Sequence, residues 1–207
     1  MNIKTLSMGT LGNNTYIVCS NEGNAVVIDP STDFSMIEKA IDELDVSVKY
    51  IFFTHGHYDH TASAYELASK TGAKLVIHSL DAEMLADNRK SLAFMFSNSA
   101  KELCADITVG DGDVIELDEL KFEFISTPGH SKGSVVIVCG DTMFTGDTVL
   151  EGVVGRTDFY GGSDELMIES IKKLASIEKN YTLLCGHGAP STLDFEKKNN
   201  PYFIHYT

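Results

Sequence analysis

The chain has 207 residues, 30 of them acidic and 16 basic, for a net charge of −14. That acidity opposes phosphate-rich partners, since nucleic-acid surfaces are met by basic patches or stripes. No run approaches the roughly 18 apolar residues that a membrane span needs.

Residues 2–8, 14–20 and 25–29 read as short strands, with Gly9-Thr10-Leu11-Gly12 and Asn21-Glu22-Gly23-Asn24 as turn signals. Asp29-Pro30-Ser31-Thr32 opens a helix carrying Phe34, Ile37, Ile41 and Leu44 on one stripe. The β-branched and aromatic run Val48 to Phe53 is a strand that ends at Thr54. A helix is expected over His60 to Gly72, with Ala64, Leu67, Ala68 and Thr71 on one face. Lys74 to His78 is a strand, and Ser79 caps a helix that runs to about Asn88. Residues 89–105 have no clear period; Phe94, Met95 and Phe96 within them read equally as a mobile apolar lid or as core packing. From Asp106 to Phe144 the pattern is mostly strands, with a turn at Gly110-Asp111-Gly112-Asp113. A helix from Ser163 to about Ser176, a strand near Thr182 and a short helix after Ser191 complete the chain. No linker or low-complexity break divides residues 1–207, so a single domain is expected; the elements alone support only a mixed α and β class.

Chemistry concentrates in Thr54-His55-Gly56-His57-Tyr58-Asp59-His60, which sets three of the chain's seven histidines and one carboxylate within six positions. Imidazole and carboxylate are the nitrogen and oxygen donors that zinc, iron and manganese take. Past a strand end, His55 and His57 point the same way, because side chains alternate with a period of two. Four ligands so close together do not easily serve one tetrahedral ion, so two ions are the simpler arrangement. Further donors follow strands and sit beside glycine, where backbone turns tightly: His130 in Thr127-Pro128-Gly129-His130, Asp147 in Gly146-Asp147-Thr148, and His187 in Gly186-His187-Gly188.

The order H-x-H-x-D-H, T-P-G-H, G-D-T and G-H-G resembles the metallo-β-lactamase-fold hydrolases, over about Gly12 to Pro201. Within them, Gly155-Arg156-Thr157-Asp158-Phe159-Tyr160-Gly161-Gly162 and the tail from Gly186 to Thr192, with Asn200-Pro201-Tyr202-Phe203, are similar to glyoxalase II-like thioesterases. The resemblance implies an α+β fold, a four-layer αββα sandwich of two mixed sheets flanked by helices. It implies that His55, His57 and His130 hold one divalent ion, that Asp59, His60 and His187 hold the other, and that Asp147 bridges them. Zinc is the expected metal, with iron or manganese as alternatives. Asp at position 147, not Cys, resembles the thioesterase branch, and His57, where flavodiiron proteins carry Glu, resembles the hydrolytic one.

The implied activity is hydrolysis of a thioester such as S-lactoylglutathione, with Asp59 also aiming the attacking oxygen and Arg156 and Tyr160 lining the substrate pocket. Other readings of the same motifs are a mononuclear iron persulfide dioxygenase, a hydrolase of another ester or lactone, and a non-catalytic metal-binding member. The longer glyoxalase II enzymes add a helical C-terminal extension for glutathione, whereas 20 residues follow His187 here. A small molecule is the expected partner, not nucleic acid or membrane, and the chain is expected as a monomer or homodimer. Cys19, Cys104, Cys139 and Cys185 show no paired spacing, and the first ten residues are too polar for a signal peptide, so a reducing cytoplasm is expected. His78, at a strand end, reads as a packing or hydrogen-bonding residue, and His205 as incidental.

Overall fold

The computed structural model describes residues 1–8, 12–97 and 100–206. Most of the first expected turn, and Asn98 and Ser99 of the aperiodic segment 89–105, lie outside the described residues. The first sheet has six strands in sequence order: β1 (Asn2–Met8), β2 (Asn13–Cys19), β3 (Asn24–Ile28), β4 (Ser47–Phe52), β5 (Lys74–His78) and β6 (Ile107–Val109). Its first three strands pair antiparallel and β3 to β6 pair parallel. The parallel crossovers hold α1 (Phe34–Leu44) and then α2 (Tyr58–Thr61) with α3 (Ala64–Thr71).

The second sheet takes β7 (Asp113–Leu117), β8 (Leu120–Ser126), β9 (Val135–Cys139), β10 (Thr142–Gly146), β13 (Thr182–Cys185) and β14 (Ser191–Thr192). A two-stranded ribbon, β11 (Val149–Leu150) with β12 (Val153–Val154), and then α4 (Asp164–Ala175) separate β10 from β13. Helices α5 (Leu193–Asn199) and α6 (Pro201–Tyr206) close the chain.

The alternation of side chains decides the layers. On β2, Tyr16 and Val18 join Phe52 and Val76 of the first sheet and Phe122, Phe124, Ile137 and Phe144 of the second in one buried cluster between the sheets. Phe52 sits edge-on to Phe122 and Phe124, each 5.2 Å away between ring centroids. On the other face of β2, Ile17 and Cys19 pack with Ile37 and Ala40 of α1 and Ala64 and Leu67 of α3. Val136, Val138 and Leu183 face outwards from the second sheet onto Met167, Ile171 and Leu174 of α4 and Phe203 of α6. Strands buried on both faces carry continuous apolar runs, as β9 does; β2 is buried at every position too, but its first three residues are the polar Asn13, Asn14 and Thr15, which are hydrogen-bonded within the protein. The result is an αββα sandwich, as the resemblance implied.

Several local expectations are corrected. The helix over His60 to Gly72 is two helices, because Ser63 turns away to hydrogen-bond Pro30 O through its amide (2.9 Å) and Thr32 O through its hydroxyl (2.6 Å). The helix capped by Ser79 is only a 3-10 turn over Ala82–Ala86, preceded by Asp81, whose side chain is engaged elsewhere; Ser79 N donates to Val109 O. Phe94, Met95 and Phe96 are 59, 60 and 51% exposed, which excludes core packing; Phe96 stacks on Tyr58. Cys19, Cys139 and Cys185 are buried as free thiols and Cys104 is exposed. No described helix is long and apolar enough to cross a membrane.

Candidate metal centre

Four strand ends deliver the donors. His55, His57, Asp59 and His60 follow β4 of the first sheet; His130, Asp147 and His187 follow β8, β10 and β13 of the second. All seven meet at one edge of the sandwich. Three overlapping groups keep their ligand atoms within 4.8 Å of one another: His55, His57 and His130; His55, His60 and Asp147; Asp59, His60 and His187. His130 Nε2 and His187 Nε2 lie 3.6 and 3.3 Å from Asp147 Oδ2, and His60 Nε2 lies 3.4 Å from Asp147 Oδ1. Ligand atoms around a tetrahedral zinc at its usual bond lengths are about 3.4 Å apart, so the spacing suits a shared ion.

Hydrogen bonds outside the cluster fix the imidazoles. His60 Nδ1 donates to Asp29 Oδ2 (3.0 Å), and His130 Nδ1 donates to the carbonyl of Arg156 (2.7 Å). Thr54 Oγ1 donates to Asp29 Oδ2 (2.6 Å) and therefore accepts from His55 Nδ1 (3.1 Å). In His55 and His130 Nε2 is left with its lone pair directed inwards, and that of His130 accepts from His57 Nδ1 (2.9 Å). His55 Nε2, His57 Nε2 and Asp147 Oδ1 are buried without a hydrogen-bond partner among the described residues. Buried polar atoms are nearly always paired, so three orphans in one cluster mark a place for a cation. The residues present fit divalent metal.

The electrostatics agree. Burial, reinforced by the neighbouring imidazoles, drives the pKa of His55 well down and that of His57 to about 3, so both stay neutral and able to ligate. Burial opposes charge on His60 too, but Asp147, Asp59 and Asp29 outweigh it and push its pKa up to about 9. Burial raises the pKa of Asp59 and Asp147, yet the surrounding histidines hold both carboxyls well below the usual range. The centre demands positive charge. His55, His57, His60 and His130 are almost fully buried, whereas the side chains of Asp59 and His187 are 22 and 19% exposed and form its open side.

Of the loop from Arg156 to Tyr160, the Arg156 carbonyl and the Phe159 ring approach the cluster. The Phe159 ring lies 5.8 Å from the His57 imidazole, with the Arg156 guanidinium 3.9 Å above it. Arg156 donates to both oxygens of Asp158 (2.6 and 2.7 Å), and Tyr160 OH donates to Glu83 Oε1 (2.7 Å). His78 is apart from the cluster: Leu80 N donates to its Nδ1 (3.2 Å), so its Nε2 donates to Ser126 Oγ (3.0 Å). His205 is exposed on α6.

Two contributors escape sequence reading. Asp29 holds a left-handed backbone (φ 48°) and orients Thr54 and His60 at once; its place directly after β3 is the signal that also marks the other donors. Asn13 Nδ2 donates to Asp59 at both its carbonyl (3.1 Å) and Oδ2 (3.2 Å), and no sequence signal marks it.

The sequence model of the metallo-beta-lactamase superfamily matches residues 8–187. The chain belongs to that superfamily. Its relatives include hydroxyacylglutathione hydrolase GloC of Haemophilus influenzae, 30% identical over 98% of both chains. Among solved structures, the BLEG-1 B3 metallo-beta-lactamase superposes with a TM-score of 0.91 at 24% identity, covering 98% of this chain and 99% of that one, and so shares the fold. TTHA1623, crystallised in a di-iron-bound form, is 27% identical with a TM-score of 0.85, covering 96% of this chain and 99% of that one. Members of this superfamily are mostly metal-dependent hydrolases, and the cluster here offers a site for metal.

Proposed function

We propose that the chain is a dinuclear-metal hydrolase that cleaves a thioester, S-lactoylglutathione or a similar acidic one. The observation that carries this reading is the set of seven converging donors, three of which meet the shared Asp147 carboxylate, with His55 Nε2, His57 Nε2 and Asp147 Oδ1 buried and unpartnered among the described residues. His55, His57 and His130 would hold one ion, Asp59, His60 and His187 the other, with Asp147 between them. The relative named as a hydroxyacylglutathione hydrolase and the neighbour that holds two irons support the substrate and the metal count.

Divalent ions there would lower the pKa of water from 15.7 to about 7 and polarise a carbonyl. The chain's own groups do the rest. Asp59 is on the open side and is braced by Asn13, so it can accept a hydrogen bond from the attacking oxygen and aim it at the acyl carbon. Asp29, Thr54 and the Arg156 carbonyl hold the rings still, which keeps the reacting geometry preorganised. Arg156 and Tyr160 would meet the acidic part of the substrate, though both are engaged by carboxylates of the protein. A thiolate leaving group, with a parent pKa of about 8.5, departs without a strong general acid. Residues 1–207 act as one domain in this reading, on a small molecule.

The deciding experiment is elemental analysis of protein purified without chelator, run beside a thioester-hydrolysis assay. Two metals per chain with hydrolysis is the expected result. One iron per chain, with oxygen consumed on a persulfide, replaces the reading with a dioxygenase.

A further inference from the structure

Asp81 is a fully buried carboxylate at 0% exposure that takes no part in the chemistry above. Its Oδ2 accepts from Gly56 N (3.0 Å) and Ser131 Oγ (2.6 Å), and its Oδ1 accepts from Gly133 N (2.7 Å). Gly56 stands between His55 and His57, and Ser131 follows His130. The carboxylate is thus the knot between two loops from different sheets. Its partners are two backbone amides and a hydroxyl, none of them a cation, and a buried anion on such terms is expensive to keep. The backbones press onto it as well: a Cβ at Gly133 would lie 2.7 Å from Asp81 N, and one at Gly56 would lie 3.2 Å from Asp81 O.

We propose that Asp81 is a positioning residue that sets the three-histidine half of the centre by tying the His55–His57 loop to the His130 loop. This rests on the reading of the cluster as a metal centre. The other half has separate supports, since Asp29 orients His60 and Asn13 holds Asp59. Loosening Asp81 therefore acts on one half only. An ionised Asp accepts at both oxygens; Asn presents an amide donor on one side, so at least one of the three donors faces another donor.

The test titrates zinc into chelator-stripped wild type, Asp81→Asn and Ser131→Ala, each labelled with ¹⁵N-histidine and followed by NMR. In Asp81→Asn the rings of His60 and His187 should respond at the wild-type zinc concentration. Those of His55, His57 and His130 should need about tenfold to a hundredfold more, the loss usual for partners that orient metal ligands. Ser131→Ala removes one of the three donors and should shift the same three rings by less, which decides the matter if Asp81→Asn does not fold. Equal weakening of both halves, or no weakening in either variant, overturns the proposal while wild-type zinc binding stands. Wild type that binds no zinc overturns the metal reading and this inference with it.

Discussion

Gly186→Ala tests the centre with a single methyl group. Gly186 precedes His187, and its backbone dihedrals are not of the kind reserved for glycine, so the substitution introduces contact and no backbone strain. A Cβ there would lie 2.7 Å from His60 Cε1 and closer still to Asp147 Oδ1. Even the farther contact is about 0.7 Å short of the 3.4 Å at which ordinary packing begins. The neighbours cannot yield without moving ligand atoms, because His60 is pinned by Asp29 and the Asp147 backbone is held by Gly155 N, which donates to its carbonyl (3.0 Å). Overpacking of this kind costs about 1–3 kcal/mol of stability. A displacement near 1 Å at the reacting groups costs about a hundredfold in rate. Metal content, thermal unfolding and thioester hydrolysis should be measured together, with Gly112→Ala as control. Gly112 has φ +79° and nothing within 4 Å of a Cβ, so that variant carries strain alone. Gly186→Ala with two metals and wild-type turnover refutes the geometry argued for Asp147 and His60.

Asp147→Ala should lose metal and activity together, whereas Asp147→Cys should keep part of its zinc through thiolate ligation, as elemental analysis will show; full metal in the alanine variant places the bridge elsewhere. Arg156→Ala should raise KM for an acidic thioester by roughly tenfold, with metal content unchanged and a smaller fall in kcat. A neutral thioester should be nearly unaffected, and an equal response of the two makes Arg156 structural. The raised pKa of His60 means that metal-free protein carries a proton there at neutral pH, which a bound ion must displace. Zinc affinity should therefore rise with pH until about 9 and level off above it. Calorimetry in two buffers of different ionisation enthalpy should report the released proton, and identical heats in both would contradict it.

The sequence carried the donors because a metal site needs rare residue types at strand ends, and seven histidines in 207 residues leave little background. β9, buried on both faces, is legible for a related reason: its apolar run is continuous. What the sequence hides is what long-range hydrogen bonds decide. Ser63 breaks a helix through contacts with Pro30 and Thr32, and Asp81, just before the 3-10 turn, turns its carboxylate to two distant loops. Phe94, Met95 and Phe96 look alike as core or surface in sequence, because burial of an aperiodic apolar triplet is set by its neighbours.

Each of the three donor groups draws on both sheets. His57 meets His130 across 73 positions of chain, and His60 meets His187 across 127. Neither half of the polypeptide presents a whole group, and the last donor waits for β13 to seat beside β10. Contacts at such separations form late, after loop closure has been achieved. An ion that needs a whole group reads out completed folding: neither the unfolded chain nor an early transition state holds one together. Added metal should then slow unfolding and leave the refolding rate where it was, making the ion a latch on the finished molecule and no guide to its assembly.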